Sequence, residues 1–300
     1  MLETTDLLKK VRKIEIKTRG LSSQIFSGEY HSAFKGRGMA FSEVREYIPG
    51  DDIRAIDWNV TARLNHPYVK VFEEERELTV MLLVDISASG NFGTNKQFKR
   101  ELITEVCAVL SFSAIQNNDK TGLILFSDKI EKFIPPQKGR SHILRIIREL
   151  IKFQPESKGT SLATGLQYLS NVIKKRSIAF IVSDFYDTSF TGTSTKSPFE
   201  EALKITSRKH DLVALKINDR RETELPDIGL VRVKNAESGR EMIVDTSDAT
   251  VRKNFKQQRQ LHDLRLNTIF SRSGVDKTDL YTGENYIQPL MKLFKKREKR

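Results

Sequence analysis

The chain has a single cysteine, Cys107, in 300 residues, which excludes an internal disulfide. Its place within a helical pattern reads as a buried structural thiol rather than a nucleophile. Long apolar runs are also missing. The stretches around Met81 and Phe180 are strand-length, about half or less of the roughly 20 residues a membrane helix needs, so no segment is expected to span a bilayer. Residues 1–6 carry acids and lead into no long apolar region, which does not read as a secretory signal, so the expected location is cytoplasmic. His31, His66, His142, His210 and His262 are far apart and show no HxH or HExxH spacing, which leaves zinc hydrolysis without support. There is no GxxxxGK[ST] loop for ATP hydrolysis by the chain itself and no Gly-x-Ser-x-Gly elbow for acyl transfer.

What is present is a formal charge of +12, gathered at the two ends. Lys9, Lys10, Arg12, Lys13, Lys17 and Arg19 lie near the start, and Lys292, Lys295, Lys296, Arg297, Lys299 and Arg300 at the finish. The middle is close to neutral, so no continuous nucleic-acid groove is indicated. Two readings stand: solvated helix faces with a frayed tail, or contact with an acidic partner or anionic lipid.

From residue 78 onward, strand-length apolar runs alternate with helical periods. Strands are expected at 78–85, 122–126, 178–182 and 212–217, helices at 96–116, 141–152, 162–174 and 198–209, and a hairpin from 230–233 and 242–244. Continuous apolar strands separated by helices imply a doubly wound, mainly parallel α/β sheet flanked by helices. The expected organisation is an N-terminal extension over 1–77, with a basic helix at 7–18 and a strand at 68–74 leading into the core sheet. The α/β domain follows over 78–247, and a C-terminal helical segment with a basic tail over 248–300.

In such sheets ligands bind beyond the carboxyl ends of the strands. Asp85-Ile86-Ser87-Ala88-Ser89 follows the apolar run of the first strand, so a carboxylate and two hydroxyls emerge where it ends. Asp184 ends a second apolar strand in the same way, and Thr160 stands where a loop enters a helix, as an N-cap or a metal ligand. Hard oxygen donors suit Mg²⁺ or Mn²⁺, with Ca²⁺ an alternative, rather than zinc or copper.

Asp85-x-Ser87-x-Ser89, Thr160 and Asp184 together resemble the metal-ion-dependent adhesion site, or MIDAS, of von Willebrand factor A domains. The resemblance implies that Ser87, Ser89 and Thr160 supply hydroxyl ligands, that Asp85 and Asp184 contribute directly or through water, and that a partner's Asp or Glu completes the octahedron. Upstream, Gly36-Arg37-Gly38-Met39-Ala40-Phe41, the run 45–58 with Gly50-Asp51-Asp52 and Asp57-Trp58, then Thr61-Ala62-Arg63 and 69–75, resemble the bacterial domain-of-unknown-function 58 family over about residues 36–190. The resemblance implies a partnership with a MoxR-type AAA+ ATPase, as adaptor or as metal-binding factor in protein maturation. Some relatives carry membrane segments near their amino termini.

The upstream motif has a reading of its own. Acids and bases alternate across Asp51, Asp52, Arg54, Asp57 and Arg63 around one tryptophan. Such clusters lock an irregular segment through charge-assisted hydrogen bonds. The competing reading is a recognition surface for the ATPase or its client, formed by Arg54, Asp57 and Trp58.

An enzyme is the alternative for the strand-end acids, as a metal-dependent phosphohydrolase or nuclease. In haloacid-dehalogenase-like phosphatases a second Asp stands two residues after the nucleophile, and here that position is Ser87. A two-metal nuclease would want more carboxylates than two. The expected function is therefore a non-enzymatic, metal-dependent protein-binding adaptor.

Overall fold

The computed structural model of the protein describes residues 4–21, 30, 40–73, 77–91, 98–157, 159–187, 197–234 and 241–299. These fall into two compact units, one of residues 34–78 and the other of residues 1–33 with 79–300.

In the larger unit, α1 (Thr4–Leu21) comes first. Then follow β3 (Thr79–Asp85), α3 (Lys99–Gln116), β4 (Lys120–Phe126), β5 (Ile130–Gln137), α4 (Arg140–Lys152), α5 (Leu162–Val172) and β6 (Ile178–Ser183). The chain continues through α6 (Pro198–Lys209), β7 (Asp211–Asn218), the short α7 (Arg220–Thr223), the hairpin β8 (Leu230–Lys234) with β9 (Glu241–Asp245), α8 (Ala249–Arg272), β10 (Asp276–Tyr281) and α9 (Ile287–Glu298). Six strands form one sheet in the order β10-β7-β6-β3-β4-β5. Every neighbouring pair is parallel except β4 with β5.

The apolar runs sit in the middle because a parallel strand is covered on both faces. Val80 to Val84 of β3 are all inaccessible to solvent. Alternate side chains then divide between two layers. Met81 and Leu83 face a cluster with Leu166 of α5, Phe199 of α6 and Phe270 of α8. The other layer is built on α3, whose Ala108 and Phe112 pack with Val11 of α1 and Ile143 and Ile147 of α4. Cys107 is buried in α3, and burial pushes its thiol far above the ordinary range, as expected of a structural cysteine.

Several sequence expectations change. β10 belongs to the core sheet, so residues 248–300 are not purely helical; Asp-Lys-Thr-Asp-Leu-Tyr is an edge strand with few apolar residues. β5 carries Pro135 and Pro136 on the opposite edge, where a missing N–H breaks no ladder. α1 counts with the core rather than with the segment that follows it, because Val11 and Ile14 face α3 and α4. Among the described residues the basic segment near the end is helical rather than frayed: α9 runs to Glu298, and Arg297 pairs with Asp276 (2.9 Å) and with Asp211.

The smaller unit holds β1 (Ala40–Glu46), a 3₁₀ turn (Ile53–Ala55), α2 (Trp58–Leu64) and β2 (Tyr68–Glu73). β2 pairs antiparallel with β1 and does not lead into the core sheet as expected. The acid–base motif organises the connection. Asp51 takes a two-pronged bond from Arg45 (2.8 and 2.7 Å), Asp52 accepts the Arg54 N–H (2.9 Å), and Asp57 caps α2 through the N–H groups of Asn59 and Val60. Arg54 and Trp58 are exposed.

Candidate functional site

Asp85 is the last residue of β3, and β6 runs parallel beside it with Val84 opposite Val182. The register brings Ser183 next to Asp85, and the Ser183 hydroxyl donates to Asp85 Oδ2 (2.7 Å) while the Ser87 N–H donates to Oδ1 (2.9 Å). Both carboxylate oxygens are thus held before any ligand arrives. Asp85 is only 4% exposed. Burial first, and the neighbouring Asp184 second, push its carboxyl up to about 7.

The backbone just past Asp184 reverses sharply. Phe185 sits at φ 57°, a left-handed conformation that a bulky side chain rarely adopts. Its N–H donates to Ser183 Oγ (2.9 Å), and its ring is buried against Phe199 and Phe270 at centroid distances of 6.3 and 5.2 Å. Packing of this kind is what sustains a strained residue beside a site. The turn lets the Tyr186 N–H donate to Asp184 Oδ1 (3.1 Å). Tyr186 is fixed in turn by α8, with the Arg259 guanidinium 4.1 Å from its ring centroid and the His262 ring stacked at 4.4 Å.

Thr160 is buried at the same edge. The N–H of the next residue, Ser161, donates to Ser127 O at the end of β4 (2.9 Å), and the Leu162 N–H donates to Asp187 Oδ2 beyond β6 (3.0 Å). Those bonds draw the start of α5 across the strand ends. The N-cap of α5 is Ser161, whose hydroxyl accepts from Thr164 N–H, so the capping reading of Thr160 falls away. Ser87 is buried, and the 3₁₀ turn Ala88–Asn91 follows it; the Ser89 side chain lies outside the described residues.

Lys99 was not among the residues expected at the site. This side chain, 1% exposed in the first turn of α3, reaches Asp184 Oδ2 (3.0 Å) and Glu222 Oε1 of α7 (2.7 Å). Burial opposes its charge, but the two carboxylates outweigh that and raise its pKa. Burial raises the pKa of Glu222. A lysine at a helix start is disfavoured by the helix dipole, and this was the one signal in the sequence that could have singled it out.

Among the described residues, no three His, Cys, Asp or Glu side chains gather to hold a metal ion, so a cation here would depend on two carboxylates and on hydroxyls. That donor set is all hard oxygen, and it fits Mg²⁺, Mn²⁺ or Ca²⁺. Asp85 is raised chiefly by burial and secondarily by the charge of Asp184, and a cation would offset the second of these. A cavity of about 20 Å³ beside Asp85 and Ser87 is also lined by Gly90, Arg100, Ile103, Thr104 and Leu150; it does not reach Asp184 or Thr160 and is separate from the space these acids share. Arg54, Asp57 and Trp58 are in the smaller unit, where Asp57 has a capping role and Trp58 is 67% exposed.

Comparison with known proteins places the whole chain. It is 27% identical to the uncharacterized protein Rv1480 of Mycobacterium tuberculosis over 302 aligned residues, covering 99% of this chain and 92% of that one. The uncharacterized protein YeaD of Bacillus subtilis is 31% identical over 109 residues, 36% of this chain and 25% of that one. Similar solved structures include the conserved hypothetical protein BatB from Bacteroides thetaiotaomicron, at 12% identity and TM-score 0.46, covering 74% of this chain and 100% of that one. A von Willebrand factor type A protein from Catenulispora acidiphila is matched at 9% identity and TM-score 0.34, covering 50% of this chain and 35% of that one. Residues 43–265 match the family described as protein of unknown function DUF58, and the chain belongs to that family.

Proposed function

We propose that the protein is a non-enzymatic adaptor that captures an acidic side chain of a partner protein through a MIDAS-type cation. The observation that carries this reading is the pair Asp85 and Asp184 at the ends of adjacent parallel strands, with Ser87 and Thr160 buried at the same edge. Asp85, Ser87, Ser89, Thr160 and Asp184 would hold Mg²⁺, or Mn²⁺ or Ca²⁺. When bound, the cation supplies an open coordination position for the partner's carboxylate.

The residues around it have separable tasks. Ser183 and the Ser87 N–H orient Asp85 from both sides, so its carboxylate is fixed before binding. Lys99 and the Tyr186 N–H do the same for Asp184. Lys99 also offsets one negative charge, which keeps the site a weak chelator with electrophilic character to spare. The family resemblance supports a MoxR-type AAA+ ATPase as the motor that works with this adaptor in protein maturation or complex assembly, in the cytoplasm.

The test has two parts. Mg²⁺ and Mn²⁺ titration by calorimetry should show binding that Asp85→Ala removes, with the far-UV circular dichroism unchanged. Pull-downs from native lysate with and without EDTA should then yield partners that depend on both the metal and Asp85. Turnover of phosphoesters or nucleic acid that vanishes in Asp184→Ala would instead establish the enzyme alternative.

A further inference from the structure

On the side of the sheet that carries α3, the helices α1, α4 and α9 each turn bases outward. On α1, Lys9, Arg12, Lys13 and Ile16 recur at the i, i+3, i+4, i+7 spacing of one helix face, and all four are exposed, Ile16 to 69%. The same spacing on α9 presents Lys292, Lys295, Lys296 and Lys299, all exposed. On α4 the exposed bases are Arg145, Arg148 and Lys152.

These helices belong to one layer. α1 and α4 share the cluster of Val11, Phe112 and Ile147 against α3. The end of α1 meets the head of α9, where the Lys17 ammonium stands 5.9 Å from the ring centroid of Tyr286. Most acids of this layer are turned inward or paired, with Glu298 exposed at the end of α9: Glu15 is buried against Arg140, Glu105 pairs with Lys17, and Glu149 pairs with Lys132. On the other face, α8 pairs Arg252 with Asp227 and Lys256 with Glu224, and α6 opens with Glu200 and Glu201, while Lys204, Arg208 and Lys253 are exposed there too.

We infer that the α1–α4–α9 face is a docking surface for an anionic phospholipid bilayer. The clusters that sequence places at opposite ends of the chain are one surface in the fold. Exposed bases outnumber exposed acids on these three helices and give the face a net positive field, and juxtamembrane lysines and arginines each add to attraction toward an anionic leaflet. Lysines dominate, and lysine is a strongly hydrated point charge suited to diffuse attraction rather than to two-pronged recognition of one phosphate. No stripe carries an exposed aromatic for base stacking, and helices laid over a sheet form no groove for a nucleic-acid strand. The apolar residue in the stripe is Ile16, which can enter the headgroup region. Asp85 and Asp184 stand at an end of the strands and not on this face, so a bilayer there leaves them open.

The test is flotation of the full chain with phosphatidylcholine vesicles, with and without phosphatidylglycerol. Binding is expected only to the anionic vesicles and should weaken as salt is raised. Lys13→Glu/Arg148→Glu/Lys292→Glu, one base from each helix, should lower partitioning by about tenfold or more. Lys204→Glu/Arg208→Glu/Lys253→Glu makes the same charge change on the opposite face and should leave most binding intact. Asp85→Ala should bind vesicles like the unmodified protein, which separates this surface from the metal site. If the reversals disturb folding, glutamine at the same positions carries the test. Equal loss in both triple variants overturns the proposal, because net charge alone would then explain binding. So does absence of vesicle binding, with or without duplex DNA held by the same residues.

Discussion

Replacing Lys99 by Met removes the charge of a fully buried ammonium and keeps most of the side-chain volume. In the wild type that ammonium touches Asp184 at 3.0 Å and Glu222 at 2.7 Å. Two carboxylates with 9% and 19% side-chain exposure would be left facing each other without it. Removing one partner from a buried ion pair costs about 3–5 kcal/mol, because the remaining charge stays desolvated. Glu222 is already raised by burial and can take a proton, which places the expected loss near the lower end, about 3 kcal/mol. Urea unfolding followed by far-UV circular dichroism at pH 7 should show a lower midpoint at unchanged slope. Adding Glu222→Gln to Lys99→Met removes one of the orphaned charges and should recover about 1–2 kcal/mol. Mg²⁺ should stabilise Lys99→Met more than wild type, since it brings positive charge to the same carboxylates. A Lys99→Met midpoint equivalent to less than about 0.5 kcal/mol of loss, or no recovery in the double variant, would refute the reasoning.

Four further outcomes follow from the geometry. With the Asp85 carboxyl raised from 3.8 to about 7, the folded chain keeps a proton that the unfolded chain releases, so this group's contribution to stability is present at low pH and lost as pH rises through 7. A cation must displace that proton, so calorimetric Mg²⁺ affinity should climb with pH and level off above about 7. Gly122→Ala would put a Cβ 2.7 Å from Met81 Sδ and 3.0 Å from the Ile134 carbonyl oxygen, and thermal melts should show a loss of about 1–3 kcal/mol. Limited proteolysis should find the 34–78 unit loosened by Arg45→Ala, which breaks the two-pronged Asp51 bond, and unaltered by Arg54→Ala, whose side chain is exposed.

The central strands and their helices were legible because each depends on a local pattern. The run 80–84 is apolar throughout, and α4 repeats its apolar residues at helical spacing, with Ile143, Ile146, Ile147 and Leu150 buried. The edge strands were not. β10 is half polar and β5 holds two prolines, and both are strands because a neighbour offers a ladder, which no local pattern encodes. Asp85 and Asp184 could be read as strand-end acids, since both terminate apolar runs. Lys99, Ser183 and Glu222 could not, because they lie 85 to 123 residues from the carboxylates or cation they meet.

Charge shows the same division. Sequence alone determined that bases crowd both ends of the chain and that no helix is long and apolar enough to cross a membrane, the latter holding for the described residues as well. Only the tertiary structure decided which of those bases turn outward. Arg297 went inside to Asp211 and Asp276, whereas Lys292, Lys295, Lys296 and Lys299 remained on the surface in line. Composition sets the total charge, but the phase of each helix against the core sets the direction in which every charge points.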